Sequence, residues 1–196
     1  MNALEYNLRY ATSIANYIHK NISPDERLLP IFLGDILKYR DDIIVKYKNL
    51  HGLDGCTVYN EKTKKYLIAI DNVNYERERQ RFTLAHELGH IFLQHHTKNK
   101  DLPEYIKEQS ANAFAGELLM PLEMMKKTSR FPDDYIFSLF GVSISAFNCR
   151  KDFIKRFIDL EKVKDDEVAY SFKDIFKYTK NYKILKGYYP SKINLI

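Results

Sequence analysis

One five-residue stretch constrains this chain more than any other. His86-Glu87-Leu88-Gly89-His90 sets two histidines one helical turn apart, with a glutamate beside the first. On an α-helix each residue advances about 100°, so positions i and i+4 stand nearly above one another. Two imidazoles placed in this way can bind a single zinc ion at about 2.0–2.1 Å each. Glu87 projects about 100° further round. There it can reach a water at the metal without displacing a ligand, which is where a general base belongs.

The surroundings supply the helix that this geometry needs. Asn74 to His96 contains no proline, and its only glycine is Gly89. Glu76 and Glu78 fall near its start, where the helix dipole favours acids. On a helical wheel Phe82, His86, His90 and Leu93 share one face, with Thr83 and Glu87 beside it, while Leu84, Leu88 and Ile91 take the opposite face. A helix apolar on its back and metal-binding on its front is expected at the centre of the domain. Gly89 costs about 1 kcal/mol of helix propensity relative to alanine, a cost that fits a closely packed neighbour. A buried, hydrogen-bonded histidine pair is the ordinary alternative, so a third ligand carries the decision, because catalytic zinc takes three protein ligands and keeps one position open.

A second helix offers one. Pro103 to Met120 reads as helical, with Pro103 suited to the first turn and Pro121 ending it. Its carboxylates are Glu104, Glu108 and Glu117. Glu108 shares a face with Ala111, Asn112, Ala115 and Leu119, and the small alanines permit close approach to the first helix. Asn112 can hydrogen-bond the outer nitrogen of a ligating histidine. Glu117 lies about 180° away from Glu108 and reads as a surface or salt-bridging residue, and Glu104 as a first-turn surface acid. The expected metal ligands are therefore His86, His90 and Glu108, with Glu87 as catalytic base and Asn112 behind the ligands. H-E-x-x-H is also the two-histidine signature of zinc peptidases.

Two blocks, R-Q-R-F-T-L-A-H-E-L-G-H (Arg79–His90) and E-Q-S-A-N-A-F-A-G-E-L-L-M-P (Glu108–Pro121), resemble the ImmA/IrrE family of zinc metallopeptidases. The resemblance extends loosely from about Leu29 to Lys155, and one departure is Gly116, where many members have alanine. It implies a zincin-like core in which His86, His90 and Glu108 bind zinc and Glu87 is catalytic. It further implies a protein substrate, a helix-turn-helix repressor encoded nearby, often on a phage or integrative element.

With 196 residues, 45% hydrophobic and 14% aromatic, the chain can bury a real core as one domain or one with an appendage. No run reaches the apolar length of a membrane span, and the N-terminus lacks a secretory signal pattern. We therefore expect a cytoplasmic protein with no membrane partner. Cys56 and Cys149 form no C-x-x-C pattern and are expected as reduced thiols, Cys56 as a small buried hydrophobe.

Along the chain, Ala3–Lys20 reads as an amphipathic helix and Pro30–Leu50 as a second, with Ile36, Leu37, Ile43 and Ile44 apolar among charges. Cys56–Tyr59 and Lys65–Asp71 read as strands of a hairpin. The latter, just before the metal helix, is a candidate edge for pairing an extended substrate or an ordinary core strand. The expected fold is α+β: a zincin-like core with a small antiparallel β-sheet packed on the H-E-x-x-H helix, a second ligand-bearing helix, and extra N- and C-terminal helices. Residues 1–125 form the metallopeptidase unit and 126–196 a helical region with a basic tail, either separate or part of the same domain.

The other histidines have ordinary readings. His95 and His96 are expected on the surface at a helix end, His95 facing away from the metal. His19 and His51 have no partner at ligand spacing. Leu139–Arg150 carries the helix, Gly turn, Ser cap and helix pattern of a helix-turn-helix, with Asn148 and Arg150 as the base-reading candidates. Beyond Val168, Lys173, Lys177, Lys180, Lys183, Lys186 and Lys192 face one acid, Asp174, among interleaved aromatics. Such a tail can hold a nucleic acid or an acidic partner, or simply present a solvated lysine face. The leading expectation is a zinc-dependent endopeptidase acting on a regulatory protein. The alternative is a non-catalytic DNA-binding or antitoxin-like regulator with a zinc-stabilised core.

Overall fold

A computed structural model describes residues 2–22, 30–73 and 76–157. In chain order they form α1 (Ala3–Ile22), α2 (Leu33–Leu37), β1 (Ile43–Lys48), β2 (Gly55–Asn60), β3 (Lys65–Asp71), α3 (Arg77–Phe92), α4 (Glu104–Leu119), α5 (Leu122–Thr128), α6 (Asp133–Phe140) and α7 (Ile144–Phe157). The fold is α+β. The basic tail expected beyond Val168 lies outside the described residues. Among the described residues no helix is long and apolar enough to cross a membrane.

Packing runs from the sheet to α3, from α3 to α4, and from α4 to α1. Asn2 and Glu5 start α1 by bonding each other's backbone N–H (2.8 and 3.2 Å), a reciprocal cap. Leu8, Ala11, Ile14, Ala15 and Ile18 then bury the stripe that its periodicity predicts. At the α3–α4 contact a side chain on Gly89 would sit 3.2 Å from the Ala111 backbone and 3.1 Å from Phe114 Cδ1. This close approach accounts for a glycine in mid-helix, and the stacked rings of Phe92 and Phe114 extend the contact.

The sheet departs from expectation in two ways. The helix expected over Pro30–Leu50 stops after five residues, and Ile43–Lys48 becomes strand β1. Ile43, Ile44 and Val45 are β-branched and favour strand over helix, and Arg40 holds Asp42 through two 2.7 Å bonds at the turn between them. The sheet is also mixed rather than antiparallel: β3 pairs antiparallel with β2 but parallel with β1. With the order β1-β3-β2, β3 is hydrogen-bonded on both sides and offers no edge, so it is a core strand. Its Tyr66, Ile68 and Ile70 are buried, and the free edge next to α3 belongs to β2.

Helices α6 and α7 keep the helix–turn–helix pattern in outline. Gly141, in the left-handed region at φ 61°, ends α6. Ser143 Oγ accepts the Ala146 N–H at 3.2 Å and caps α7. Arg150, however, is buried rather than offered to a partner: its Nε donates to the Met120 carbonyl at 3.1 Å and its Nη2 is ion-paired with Glu117. Of the two expectations for Glu117, the salt bridge is the one that holds: the side chain is buried and paired rather than on the surface. Gly116 leaves room for this pair, because a Cβ there would meet Arg150 Cδ at 3.3 Å.

Candidate metal centre

Helix α3 places His86 and His90 on one face, and the tight α3–α4 contact brings Glu108 up to them. His86 Nε2 and His90 Nε2 lie 3.0 Å apart. Glu108 Oε2 is 3.3 Å from His86 Nε2, and Glu108 Oε1 is 3.2 Å from His90 Nε2. A tetrahedral ion with bonds of about 2.0–2.1 Å separates its ligand atoms by about 3.3 Å. With one ligand atom from each residue, all within 4.8 Å of one another, these three side chains can close around one such ion, offering two imidazole nitrogens and a carboxylate oxygen of the types zinc accepts. They are the one group of potential ligands that converges in this way among the described residues. Glu104 instead stays exposed and pairs with Lys107 at 3.2 Å, and Glu117 faces α7.

The outer ring nitrogens are held as well. His86 Nδ1 is 2.9 Å from Asn112 Oδ1, and His90 Nδ1 is 3.1 Å from His95 Nδ1. His95 overturns its surface reading, for it is buried against His90, and His96 is half-buried. The 3.6-residue period fails here because α3 ends before His95. Gln94 adopts φ 60°, and the Gln94 and His95 N–H groups bond back to the carbonyls of Ile91 and His90 at 3.0 and 2.9 Å. This Schellman-type closure folds His95 back under the helix it has just left. Burial, then neighbouring imidazoles, push His90 down to about 3. His95 is likewise pushed down to about 3 by burial and then by the nearby His96. Both rings are therefore neutral at pH 7, and neutral imidazole is the form that binds metal.

Glu87 is buried and accepts a 2.6 Å hydrogen bond at Oε2 from Thr57 Oγ1 on β2. Burial raises its pKa, the Thr57 bond and His86 oppose that rise, and Glu108 adds to it. A carboxylate raised in this way is a better proton acceptor near neutrality. Thr57 was not legible in the sequence. Its signal would have been the inward parity of β2, which needs the strand register and the placement of the sheet on α3.

The family model for peptidases described as the IrrE N-terminal-like domain matches residues 42–150. The chain belongs to this peptidase family. A search of curated proteins gives no match. The IrrE-like match runs from the turn before β1 into α7, so it takes in the whole cluster of His86, Glu87, His90, Glu108 and Asn112. It leaves out α1, which nevertheless covers the back of α4.

Proposed function

We propose that this chain is a zinc-dependent endopeptidase with a zincin-like site, held by His86, His90 and Glu108, that cuts a helix-turn-helix repressor or similar regulatory protein, often of a phage or mobile element. The observation that carries the reading is the convergence of the three ligand atoms within reach of one ion, with Glu87 beside them. When bound, zinc supplies Lewis-acid polarisation of the scissile carbonyl and lowers the pKa of water toward 7. Glu87 takes the proton of the attacking water and delivers it to the leaving amine. Thr57 orients that carboxylate through its hydroxyl, leaving the second oxygen for the proton.

Substrate binding follows from the sheet order. An extended peptide pairing with the free edge of β2 would pass Thr57 and therefore Glu87. A cavity of about 720 Å³ adjoins Asn112 between α3, α4 and α7, with Phe82, Ala113, Ala146 and Phe153 among its lining. Backbone pairing aligns any peptide, so this cavity is the place for side-chain selection. The competing reading as a DNA-binding regulator loses one of its two base-reading candidates, since Arg150 is buried against Glu117.

The deciding experiment looks for a helix-turn-helix repressor in the adjacent reading frame and compares wild type with Glu87→Gln on that protein. Wild type should leave defined fragments by mass spectrometry. The variant should keep its zinc and lose turnover by about 10²–10⁴-fold, the usual range for a general base. Turnover close to wild type would remove Glu87 from the chemistry.

A further inference from the structure

The two ligand histidines are supported from behind by unlike partners. His86 leans on Asn112, which is exposed, whereas His90 leans on His95, which is buried. The contact behind His90 also continues inward. His95 Nε2 lies 3.4 Å from Ser110 Oγ, and the Ser110 hydroxyl donates to the Ile106 carbonyl at 2.7 Å. Ser110 is buried on α4, one turn from Ile106 and close to Glu108 in sequence. The chain of contacts thus starts on one ligand-bearing helix and ends on the other.

We propose that His95 is a positioning residue for His90, setting through its own Nδ1 which nitrogen of His90 is free to hold the metal. The inference rests on the metal centre proposed above. His90 turns Nε2 toward His86 and Glu108, so Nε2 must be unprotonated to bind an ion. A neutral imidazole has one proton, which then sits on Nδ1 and is donated to His95 Nδ1. His95 Nδ1 must accept, so its own proton lies on Nε2 and points to Ser110 Oγ, whose hydroxyl proton goes to Ile106. Every link has one donor and one acceptor, and no charge is buried. The reverse sense, with a proton on His95 Nδ1, would force the His90 proton onto Nε2 and block the ligand atom. The main-chain bond from His95 N–H to His90 carbonyl at 2.9 Å keeps the two rings together whichever sense is taken. Partners of this kind typically govern metal affinity by about 10–100-fold.

The test measures zinc affinity by competition with a chromophoric chelator for wild type, His95→Leu, His95→Asn and Ser110→Ala, with ¹⁵N NMR of the histidine side chains in the zinc-loaded wild type. His95→Leu fills the buried site without an acceptor and should bind zinc about 10–100-fold more weakly. His95→Asn can offer its Oδ1 near the place of Nδ1 and should recover most of that loss, although it suits a buried site less well than leucine. Ser110→Ala should fall between wild type and His95→Leu. The NMR spectrum should show His95 protonated on Nε2 alone. Wild-type affinity in His95→Leu would overturn the proposal, as would weaker binding by His95→Asn than by His95→Leu, which marks a packing role, or a proton on His95 Nδ1. A wild-type protein that takes up no zinc would instead overturn the metal centre itself, and this role with it.

Discussion

Glu108 and Glu117 sit on opposite faces of one helix and do opposite things. The Glu108 side chain is 45% exposed and meets two imidazoles, whereas that of Glu117 is 8% exposed and meets a guanidinium. Identical in chemistry, they differ only in what the fold brings to them. The α3 face leaves Glu108 half open, as the proposed metal site requires. Helix α7 closes over Glu117 and supplies Arg150, and the start of α5 adds the Leu122 N–H at 3.4 Å. A carboxylate with a wet side is available for binding and chemistry. One that is buried and paired is committed to architecture, because removing either partner strands a charge in the interior.

This contrast can be broken experimentally, and the largest effect should come from Glu108. In Glu108→Ala most of the zinc should be lost by elemental analysis, and turnover with it, while the circular dichroism spectrum stays that of the wild type. Full zinc content in that variant, with loss in Glu104→Ala or Glu117→Ala, would mean that another carboxylate holds the ion.

Next comes Glu117→Ala, expected to cost about 3–5 kcal/mol of stability in chemical denaturation, the range for breaking a buried pair. The paired change Glu117→Leu with Arg150→Met should recover most of that loss, because apolar replacements leave no stranded charge. A Glu117→Ala protein as stable as wild type would show that the pair holds nothing.

The smallest effect belongs to Gly116→Ala. Alanine contributes about 1 kcal/mol of helix propensity, but its Cβ presses on Arg150 Cδ at 3.3 Å. Because Arg150 is held at both Nε and Nη2, we expect a net loss smaller than that of Glu117→Ala, read as a modest drop in melting temperature. A gain in stability would show that the Arg150 side chain shifts freely.

What could be read from residues alone was what lies within one element or one short motif. Helical periodicity placed His86 and His90 on one face, put Glu108 and Glu117 on opposite faces and assigned α1 and α4; strand-like runs joined by a short polar turn assigned the hairpin, and the two sequence blocks indicated the family. What depends on a chain reversal or on a second element could not be read that way. The parallel pairing of β1 with β3 competes with a helical pattern that local residues also support, and only the neighbouring strand decides it. Thr57 reaches Glu87 across the sheet–helix contact, and Arg150 reaches Glu117 across the α4–α7 contact. His95 was placed wrongly because periodicity assumes that the helix continues, whereas a left-handed Gln94 turns the chain back on itself. Periodicity is a property of a continuing backbone, so it loses its power at the residue where the backbone changes direction, and beyond that residue only tertiary packing says where a side chain goes.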